Sequence, residues 1–287
     1  MKKKSLSISI VIPVYNDEQS LLSCLNAINK LKVKPKEVIV VDNNSSDNSA
    51  AIAAGFSFVK IVQEPLQGVV HARSRGFNEA SGDIIARIDA DTIIYPDWLS
   101  HIKARFLRDE NLSAISGPPE YYDFGLEKLA NFIDRGLRRF LAHNMAEHLF
   151  LYGSNMAIRR SAWLSVKEQL CLQAGIHEDL DLAIHLQLIG LKIAYDDEMI
   201  AGASIRRMGS GFLNYVRYSL VGPRSYAVHG LSYQKYLYPV VVLCWLFYLP
   251  GHLIFLGYDQ ARGRLSLRTY LANRQREVRV DPTTNVA

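Results

Sequence analysis

The stretch Ile84-Ile85-Ala86-Arg87-Ile88-Asp89-Ala90-Asp91-Thr92 decides the fold, because a mainly apolar run ends abruptly at two acidic residues. Its length and composition are typical of a buried strand. In open α/β sheets, ligands bind beyond the carboxyl ends of the strands. Two carboxylates one residue apart can face one cavity there, and their hard oxygens suit Mg²⁺ or Mn²⁺. The stretch therefore predicts a strand that ends at a metal and ligand site.

A bare Asp-x-Asp also occurs often in turns, where aspartate caps helices and closes Asx-turns. Two neighbouring features make the ligand site the more specific interpretation here. The apolar strand precedes the motif, and Pro96 follows it at a position that suits the first turn of a helix.

On both sides of this stretch, short apolar runs alternate with helical periods, which predicts parallel strands joined by crossover helices. Helices are expected after a cap at Asn16, from Ser46, after Gly68 and after Pro96. Strands are expected at residues 7–14, 37–41, 58–62, 83–88 and 112–116. The later pattern predicts helices at residues 126–143 and 179–189, with a strand or loop at 153–160. The fold class is therefore α/β.

Two further acidic positions are candidates for chemistry. Asp42 directly follows the second predicted strand, and His177-Glu178-Asp179-Leu180-Asp181 begins a predicted helix. Carboxylates at a helix start are favoured by the helix dipole, which explains them without any function. A catalytic base must also be a carboxylate held near its substrate hydroxyl. Composition leaves both explanations open.

The sequence contains neither a Gly-x-x-x-x-Gly-Lys-Ser/Thr phosphate loop nor a Gly-x-Gly-x-x-Gly at the first helix. A diphosphate must therefore be held in another way. A metal on Asp91 and the cations His71, Arg73 and Arg75 could hold it. A solvated helix face is the alternative explanation for those cations.

The chain has 287 residues, a formal net charge of +5 and a pI near 9.0, which are compatible with anionic ligands or an anionic membrane surface. Its three cysteines show no metal or disulfide spacing, so reduced cytoplasmic thiols are expected. Residues 237–258 contain no Asp, Glu, Lys or Arg. Because Pro250 and Gly251 divide this segment, each piece is expected to be too short to cross a bilayer as a helix. A single span, a surface-lying anchor and a buried helical subdomain all stay open.

Six motifs occur together in a specific order and spacing. They are Ile10-Val11-Ile12-Pro13-Val14-Tyr15-Asn16, Val40-Val41-Asp42-Asn43-Asn44-Ser45-Ser46-Asp47, residues 68–76 with Ala72-Arg73, Asp89-Ala90-Asp91, Gly153-Ser154-Asn155-Met156-Ala157 and His177-Glu178-Asp179. On these motifs the chain resembles the family 2 glycosyltransferases with the GT-A fold. The resemblance implies a mixed, mainly parallel sheet with flanking helices. The GT-A domain would occupy residues 1–215. Residues 216–287 would form a helical appendage that contains the apolar segment and a basic tail.

The resemblance also implies roles for individual residues. Asp179 would be the general base, and Glu178 would support it or contact the acceptor. Asp91 would coordinate Mn²⁺ or Mg²⁺, with Asp89 near the ribose and metal. Asn155 would line the acceptor side. The implied donor-binding residues are Pro13, Val14, Tyr15, Asp42, Arg73, Asp89, Ala90 and Asp91.

The activity that the resemblance implies is inverting transfer of one sugar from a nucleoside-diphosphate sugar, first of all a UDP-sugar, to an acceptor hydroxyl. The acceptor would be a glycan or a lipid-linked group, in cell-envelope or lipid-linked glycan synthesis at the cytoplasmic membrane face. No nucleic-acid partner is expected. Many processive relatives carry Gln-x-x-Arg-Trp after the base, whereas this chain reads Ile205-Arg206-Arg207-Met208-Gly209, which favours single transfer. A nucleotidyltransferase-like enzyme and a non-catalytic partner with the same fold are the alternatives.

Overall fold

The protein is described by a computed structural model that covers residues 5–144, 150–172, 175–259 and 262–274. The chain forms two compact units. The first comprises residues 1–119, 142–172 and 178–203, and the second comprises residues 120–141, 173–177 and 204–287. The domain boundary expected at residue 215 stays a prediction, and most of the basic tail lies outside the described residues.

Strands and helices alternate through the first half of the chain. The strands are β1 (Ile8–Val14), β2 (Glu37–Asp42), β3 (Val59–Gln63), β4 (Ile84–Arg87), β5 (Ile93–Ile94), β6 (Leu112–Ser116), β7 (Pro119–Tyr121), β8 (Met156–Arg159), β9 (Lys192–Tyr195), β10 (Ala201–Ala203), β11 (Tyr258–Asp259) and β12 (Arg264–Leu265). The helices are α1 (Glu18–Asn29), α2 (Ser49–Ala54), α3 (Val69–Glu79), α4 (Trp98–Arg108), α5 (Glu127–Asn144), α6 (Arg160–Val166), α7 (Glu178–Leu188), α8 (Phe212–Ser219), α9 (Val221–Val228), α10 (Gln234–Gly257) and α11 (Leu267–Arg274).

The first unit contains a seven-stranded sheet in the order β3-β2-β1-β4-β8-β6-β9. Neighbours are parallel from β3 to β4, and β6 is parallel to β9. Strand β8 runs antiparallel to both of its neighbours, β4 and β6. The prediction of a mixed, mainly parallel sheet is therefore confirmed, and β8 is the strand that makes the sheet mixed.

Both faces of this sheet are buried, as expected for parallel strands covered by helices. Along β1, Ile10 and Ile12 belong to one core cluster, which includes Leu25 of α1. The intervening Val11 belongs to a second cluster, which includes Phe77 of α3. Because successive strand side chains point to opposite faces, α1 and α3 cover opposite sides of the sheet. The two helices thus leave the carboxyl edge of the strands as the place for a site.

Two predicted helix starts were wrong. Helix α1 begins at Glu18, and the expected cap Asn16 lies outside it with φ of 48°. The side-chain oxygen of Asn16 instead accepts hydrogen bonds from the amides of Ser46 and Asp47, at 2.7 and 3.3 Å. Helix α2 correspondingly begins at Ser49 rather than at Ser46. The polar side chains after β1 and β2 therefore link two loops at the edge of the sheet. The local sequence pattern had instead predicted that these side chains cap helices.

The expected division of the apolar segment by Pro250 and Gly251 was also wrong, because α10 runs unbroken through 24 residues. A proline inside a helix removes one backbone hydrogen bond and costs about 3 kcal/mol. Contacts on both sides of Pro250 stabilise the helix. The Tyr248 hydroxyl donates to the Ser210 carbonyl, and His252 Nδ1 donates to the Met208 carbonyl at 2.6 Å.

Helix α10 is long and apolar enough to cross a membrane, with a mean hydropathy of 2.0 over its best 18-residue window. Only 28% of that window is buried. The alternative of a buried helical subdomain therefore loses support, whereas a span and a surface-lying anchor both stay open.

Helix α3 approaches the sheet closely at Gly76. A Cβ atom built there would lie 2.3 Å from Val11 Cγ1 and 2.8 Å from Val41 Cγ2. We expect Gly76→Ala to lower the free energy of unfolding by about 1–3 kcal/mol, because overpacking a dense core outweighs the better helix propensity of alanine. Denaturant unfolding measures this change. The control Gly136→Ala on α5 places its Cβ in open space and should be neutral or stabilising. Equal losses in both variants would contradict the packing explanation.

Candidate active site

Arg87, the last residue of β4, connects the two acidic motifs. Its side chain is 3% exposed, and Nη1 donates to Glu178 Oε1 at 2.5 Å. Its other terminal nitrogen, Nη2, donates to Asp89 Oδ1 at 3.0 Å. One guanidinium therefore holds the Asp-x-Asp motif beside the start of α7.

Neighbouring carboxylates stabilise the positive charge of Arg87. Burial by itself lowers the pKa of Arg87, but the neighbouring carboxylates, above all Glu178 and Asp89, outweigh burial and raise it above its ordinary value. The backbone at Gly153 passes so close that a Cβ atom there would lie 2.5 Å from the guanidinium carbon. Only glycine fits at this position without moving Arg87.

The same loop orients Asp179. The Gly153 amide donates to Asp179 Oδ2 at 2.7 Å, and the Leu180 amide donates to Oδ1 at 2.8 Å. Two backbone groups thus fix the carboxylate at the first turn of α7. A base needs this kind of fixed orientation to meet a substrate hydroxyl.

The Asp-x-Asp motif lies just beyond β4 and is partly open to solvent. The Asp89 side chain is 41% exposed, and its amide donates to Thr92 Oγ1 at 3.2 Å. Thr92 Oγ1 donates in turn to the Ser154 carbonyl at 3.2 Å. Asp91 is also partly exposed, whereas Ala90 between the two aspartates is buried. The turn therefore leaves both aspartates partly exposed to solvent.

The buried thiol of Cys24 lies close to this turn. Cys24 Sγ lies 3.9 Å from the Asp89 carbonyl oxygen. Burial, followed by the negative charges of Asp91 and Asp89, raises the pKa of Cys24 well above its ordinary range. The two carboxylates supply only hard oxygen ligands, which fit Mg²⁺ or Mn²⁺ and leave positions for phosphate oxygens. The predicted metal residues thus have the right chemistry for the ion.

Asp42 ends β2 and lies opposite Val14 in the parallel pair of β1 and β2. Its Oδ1 accepts from the Ser45 amide, and its Oδ2 accepts from Gln63 Nε2, both at 3.0 Å. Tyr15, directly after β1, is exposed. Pro13, Val14, Tyr15 and Asp42 therefore lie along the same sheet edge as Asp89, with β1 between β2 and β4.

Arg73 lies beneath α7 rather than at the surface. It is fully buried, donates from Nη1 to the Glu178 carbonyl at 3.1 Å, and stacks 5.4 Å from the centre of the Trp163 ring. Burial lowers its pKa to about 10. Its Nε and Nη2 have no hydrogen-bond partner among the described residues. Its geometry supports the start of α7, and direct contact with a donor stays a prediction.

Asn155 is buried and its amide is already bonded. Trp98 Nε1 donates to Asn155 Oδ1 at 3.0 Å, and Asn155 Nδ2 donates to the carbonyl of Met199 at 2.5 Å and to that of Pro118 at 3.2 Å. Helix α4 begins at Trp98, so Pro96 precedes the helix instead of lying in its first turn. Asn155 thus fixes the loop before β8, and its contact with an acceptor stays a prediction.

Arg87 and Gly153 were not assigned roles from the sequence. A signal for Arg87 was present, because it is the only charged residue in the apolar run of residues 84–88. A charge in a strand buried on both faces requires a partner. Asp89, two residues further on, is one such partner. Its partner Glu178 is 91 residues away, so pairing became visible only in the fold.

The chain matches the family model described as "Glycosyl transferase family 2" over residues 9–165. It belongs to glycosyl transferase family 2. Glycosyltransferase AglE of Haloferax volcanii is 35% identical over 118 residues, which cover 38% of this chain and 36% of that protein. A poly-beta-1,6-N-acetyl-D-glucosamine synthase of Staphylococcus aureus is 29% identical over 116 residues, covering 39% of this chain and 28% of that protein. The aligned region thus spans about a third of these curated relatives.

Solved structures show the fold of this family 2 member. Mannosyltransferase PcManGT from Pyrobaculum calidifontis, in complex with GDP-Man and Mn²⁺, superposes with a TM-score of 0.64 at 18% identity, covering 94% of this chain and 79% of that one. TarS 1-349 of S. aureus, in complex with UDP-GlcNAc, superposes with a TM-score of 0.57 at 16% identity, covering 93% and 79%. The predicted GT-A fold is confirmed.

We expect Arg87→Met to lower the free energy of unfolding by about 3–5 kcal/mol, because it removes one partner of the buried Arg87–Glu178 ion pair. Urea unfolding measures the loss. The double variant Arg87→Met/Glu178→Met should recover part of it, since no buried carboxylate then lacks its cation. As a matched control, Arg75→Met removes an exposed arginine paired with Glu79 and should cost at most about 1 kcal/mol. Similar losses in the free energy of unfolding for the Arg87 and Arg75 variants would show that the buried ion pair stabilises the protein no more than an exposed one.

Proposed function

We propose that this protein is a metal-dependent, inverting glycosyltransferase that moves one sugar from a nucleoside-diphosphate sugar to an acceptor hydroxyl. The observation that carries the proposal is the bridge through Arg87, which joins Asp89 to Glu178 at one edge of the sheet. This bridge supports the proposal that the donor-binding motif and the base, Asp179 next to Glu178, belong to one site. Family membership supports the reaction class.

Asp179 is the proposed general base, with its carboxylate held by the amides of Gly153 and Leu180. It accepts the proton of the acceptor hydroxyl while that oxygen attacks the anomeric carbon. The bond from this carbon to the diphosphate breaks on the opposite face, so one displacement inverts the configuration. Glu178, held by Arg87, supports the base or contacts the acceptor.

The leaving nucleoside diphosphate gains negative charge as this bond breaks. Asp91 and Asp89 would hold a divalent cation, Mn²⁺ or Mg²⁺, which neutralises that charge when bound. On the nucleoside side, Asp42 accepts a hydrogen bond from the base, and the backbone from Pro13 to Tyr15 borders it. A UDP-sugar is the first donor to test, and donor structures in the relatives include both GDP-Man and UDP-GlcNAc.

The proposed place of action is the cytoplasmic membrane face, with a glycan or lipid-linked acceptor in cell-envelope or lipid-linked glycan synthesis. Helix α10 supports membrane association through its length, its hydropathy and its exposed apolar side chains. Its exposed residues include Leu243, Leu246, Phe247, Leu249 and Leu253. Because the segment of residues 205–209 differs from Gln-x-x-Arg-Trp, single transfer is proposed over processive synthesis.

We expect Asp91→Ala to abolish metal-dependent donor binding without unfolding the protein, because the variant removes a carboxylate ligand from a partly exposed turn. Calorimetric titration with UDP, in the presence and absence of Mn²⁺, measures the binding. Asp97→Ala removes an exposed carboxylate paired with Lys32 and serves as the matched control. Unchanged Mn²⁺-dependent affinity in Asp91→Ala would overturn the metal assignment. Wild type that neither binds nor hydrolyses any nucleoside-diphosphate sugar would favour a non-catalytic partner protein.

We expect Asp179→Asn to keep donor binding and lose transfer, because the amide preserves the size of the side chain but cannot accept the proton. Loss of about 10²–10⁴-fold in turnover is typical of removing a general base. Donor affinity by calorimetry and transfer rate by product analysis separate the two effects. Turnover that persists in Asp179→Asn would move the base to Glu178 or Asp181.

A further inference from the structure

The segment after α6 and the first two turns of α7 bring three metal-binding side chains together within the first unit. They are Cys171, Asp181 and His185, and one ligand atom of each lies within 4.8 Å of the other two. The three cysteines show no metal spacing among themselves, so this mixed set of ligands becomes visible only in the fold.

Helix α7 supplies two of the three side chains. Asp181 and His185 are four residues apart, a spacing that places both on the same face of the helix. Asp181 is fully buried, and the His185 side chain is 13% exposed. Both groups are therefore largely removed from bulk water.

The distance between these two groups fits a shared ion. Asp181 Oδ1 lies 3.5 Å from His185 Nε2. A direct hydrogen bond between nitrogen and oxygen is usually about 2.7–3.2 Å long. On one tetrahedral zinc ion, an imidazole nitrogen and a carboxylate oxygen are roughly 3.4 Å apart. The observed distance is closer to that of two ligands of one ion.

The backbone of Cys171 orients the carboxylate between the other two ligands. The Cys171 amide donates to Asp181 Oδ2 at 3.0 Å, so this contact uses the oxygen that does not face His185. Carboxylates that bind metals are commonly held by such an additional hydrogen bond. The same contact brings the Cys171 side chain to the face of α7 that carries the other two ligands.

Apolar packing fixes the two chain segments that carry the ligands. Leu170, directly before Cys171, belongs to the same core cluster as Leu182 and Leu186 of α7. Trp163 of α6 belongs to it as well. The ligands are therefore brought together by the core, with no ion needed to assemble them.

We propose that Cys171, Asp181 and His185 bind Zn²⁺, and that this ion holds the segment after α6 against α7. Thiolate, imidazole and carboxylate are the side-chain ligands that zinc uses, and tetrahedral zinc would keep one further position. The Cys171 thiol gives its proton to solvent as the bond from sulfur to zinc forms. Mg²⁺ and Mn²⁺ prefer oxygen ligands, so this set selects a different ion from the pair Asp89 and Asp91.

The zinc site goes beyond the proposed function and does not depend on it. Its role is structural, because none of the three ligands is proposed to touch the donor or the acceptor. Helix α7 begins with Glu178 and Asp179, so an ion bound to its first two turns would stabilise the helix that carries the proposed base.

The first test is a titration of the metal-free full chain with Co²⁺, followed by absorption spectroscopy. A thiolate ligand gives Co²⁺ an intense charge-transfer band in the near ultraviolet, whereas oxygen ligands give none. We expect this band in the wild type, its loss in Cys171→Ser and its retention in Cys244→Ser. Zn²⁺ has a filled d shell and should remove the band by displacing Co²⁺.

The second test measures the thermal stability of two matched double variants with and without Zn²⁺. Cys171→Ser/His185→Gln removes two ligands, whereas Cys244→Ser/His143→Gln replaces the same residue types elsewhere in the chain. At a free Zn²⁺ concentration about 100-fold above its Kd, the Tm of the control should rise by about 5 °C. The ligand variant should show no such rise. The Asp-x-Asp turn is intact in both proteins, so any contribution from it cancels.

Three results would overturn the proposal. They are a wild type without the sulfur-to-cobalt band, a band that persists in Cys171→Ser, and an equal Zn²⁺ effect on the Tm of both double variants. The first would mean that the three groups form only a hydrogen-bonded cluster. The titration of the wild type needs no variant, so it decides the question even if a substitution prevents folding. Mn²⁺-dependent binding of UDP by Cys171→Ser, measured by calorimetry, reports the proposed enzymatic function separately.

Discussion

The contacts of Arg87 determine how the rest of the site is arranged. A guanidinium removed from water loses its hydration, and this cost must be offset by carboxylates in good geometry. Glu178 and Asp89 fulfil that requirement from segments far apart in the sequence. Once the pair is formed, the end of β4 and the start of α7 cannot move independently. Replacing a buried ion pair by apolar residues is often neutral or stabilising. The contribution of the Arg87–Glu178 pair therefore lies in positioning the end of β4 against the start of α7.

The direction of β8 explains why Gly153 belongs to the same site. Because β8 is antiparallel to β4, its first residue, Met156, lies opposite Arg87, the last residue of β4. The residues just before β8 therefore reach the edge at which β4 ends. Gly153 there accommodates the guanidinium and donates its amide to Asp179. A strand parallel to β4 at this position would have placed its last residues, rather than its first, at the edge of the sheet where β4 ends.

The strands and their acidic ends were predictable because both signals are local. Apolar runs gave the strand positions within about two residues. Asp42 is the last residue of β2, and Asp89 and Asp91 follow the end of β4. What failed depends on distant partners. Asn16 bonds a loop 30 residues away instead of capping α1, and Arg73, which reads as a helix-surface cation, is buried on Trp163. The continuity of α10 through Pro250 likewise depends on contacts that no local pattern encodes.

Acidic side chains cluster at the end of β4 and the start of α7, beside two described arginines that are buried. Asp89, Asp91, Glu178 and Asp179 outnumber the two buried arginines, Arg73 and Arg87. Burial is the main reason that the pKa of Cys24 is raised, and the negative charges of Asp91 and Asp89 raise it further. Carboxylates held close together by backbone and arginine contacts repel one another, and a bound cation or protonation of one carboxylate would relieve this repulsion without displacing them. Because Arg87 already pairs with Asp89 Oδ1, a cation bound at this turn would have to use other carboxylate oxygens.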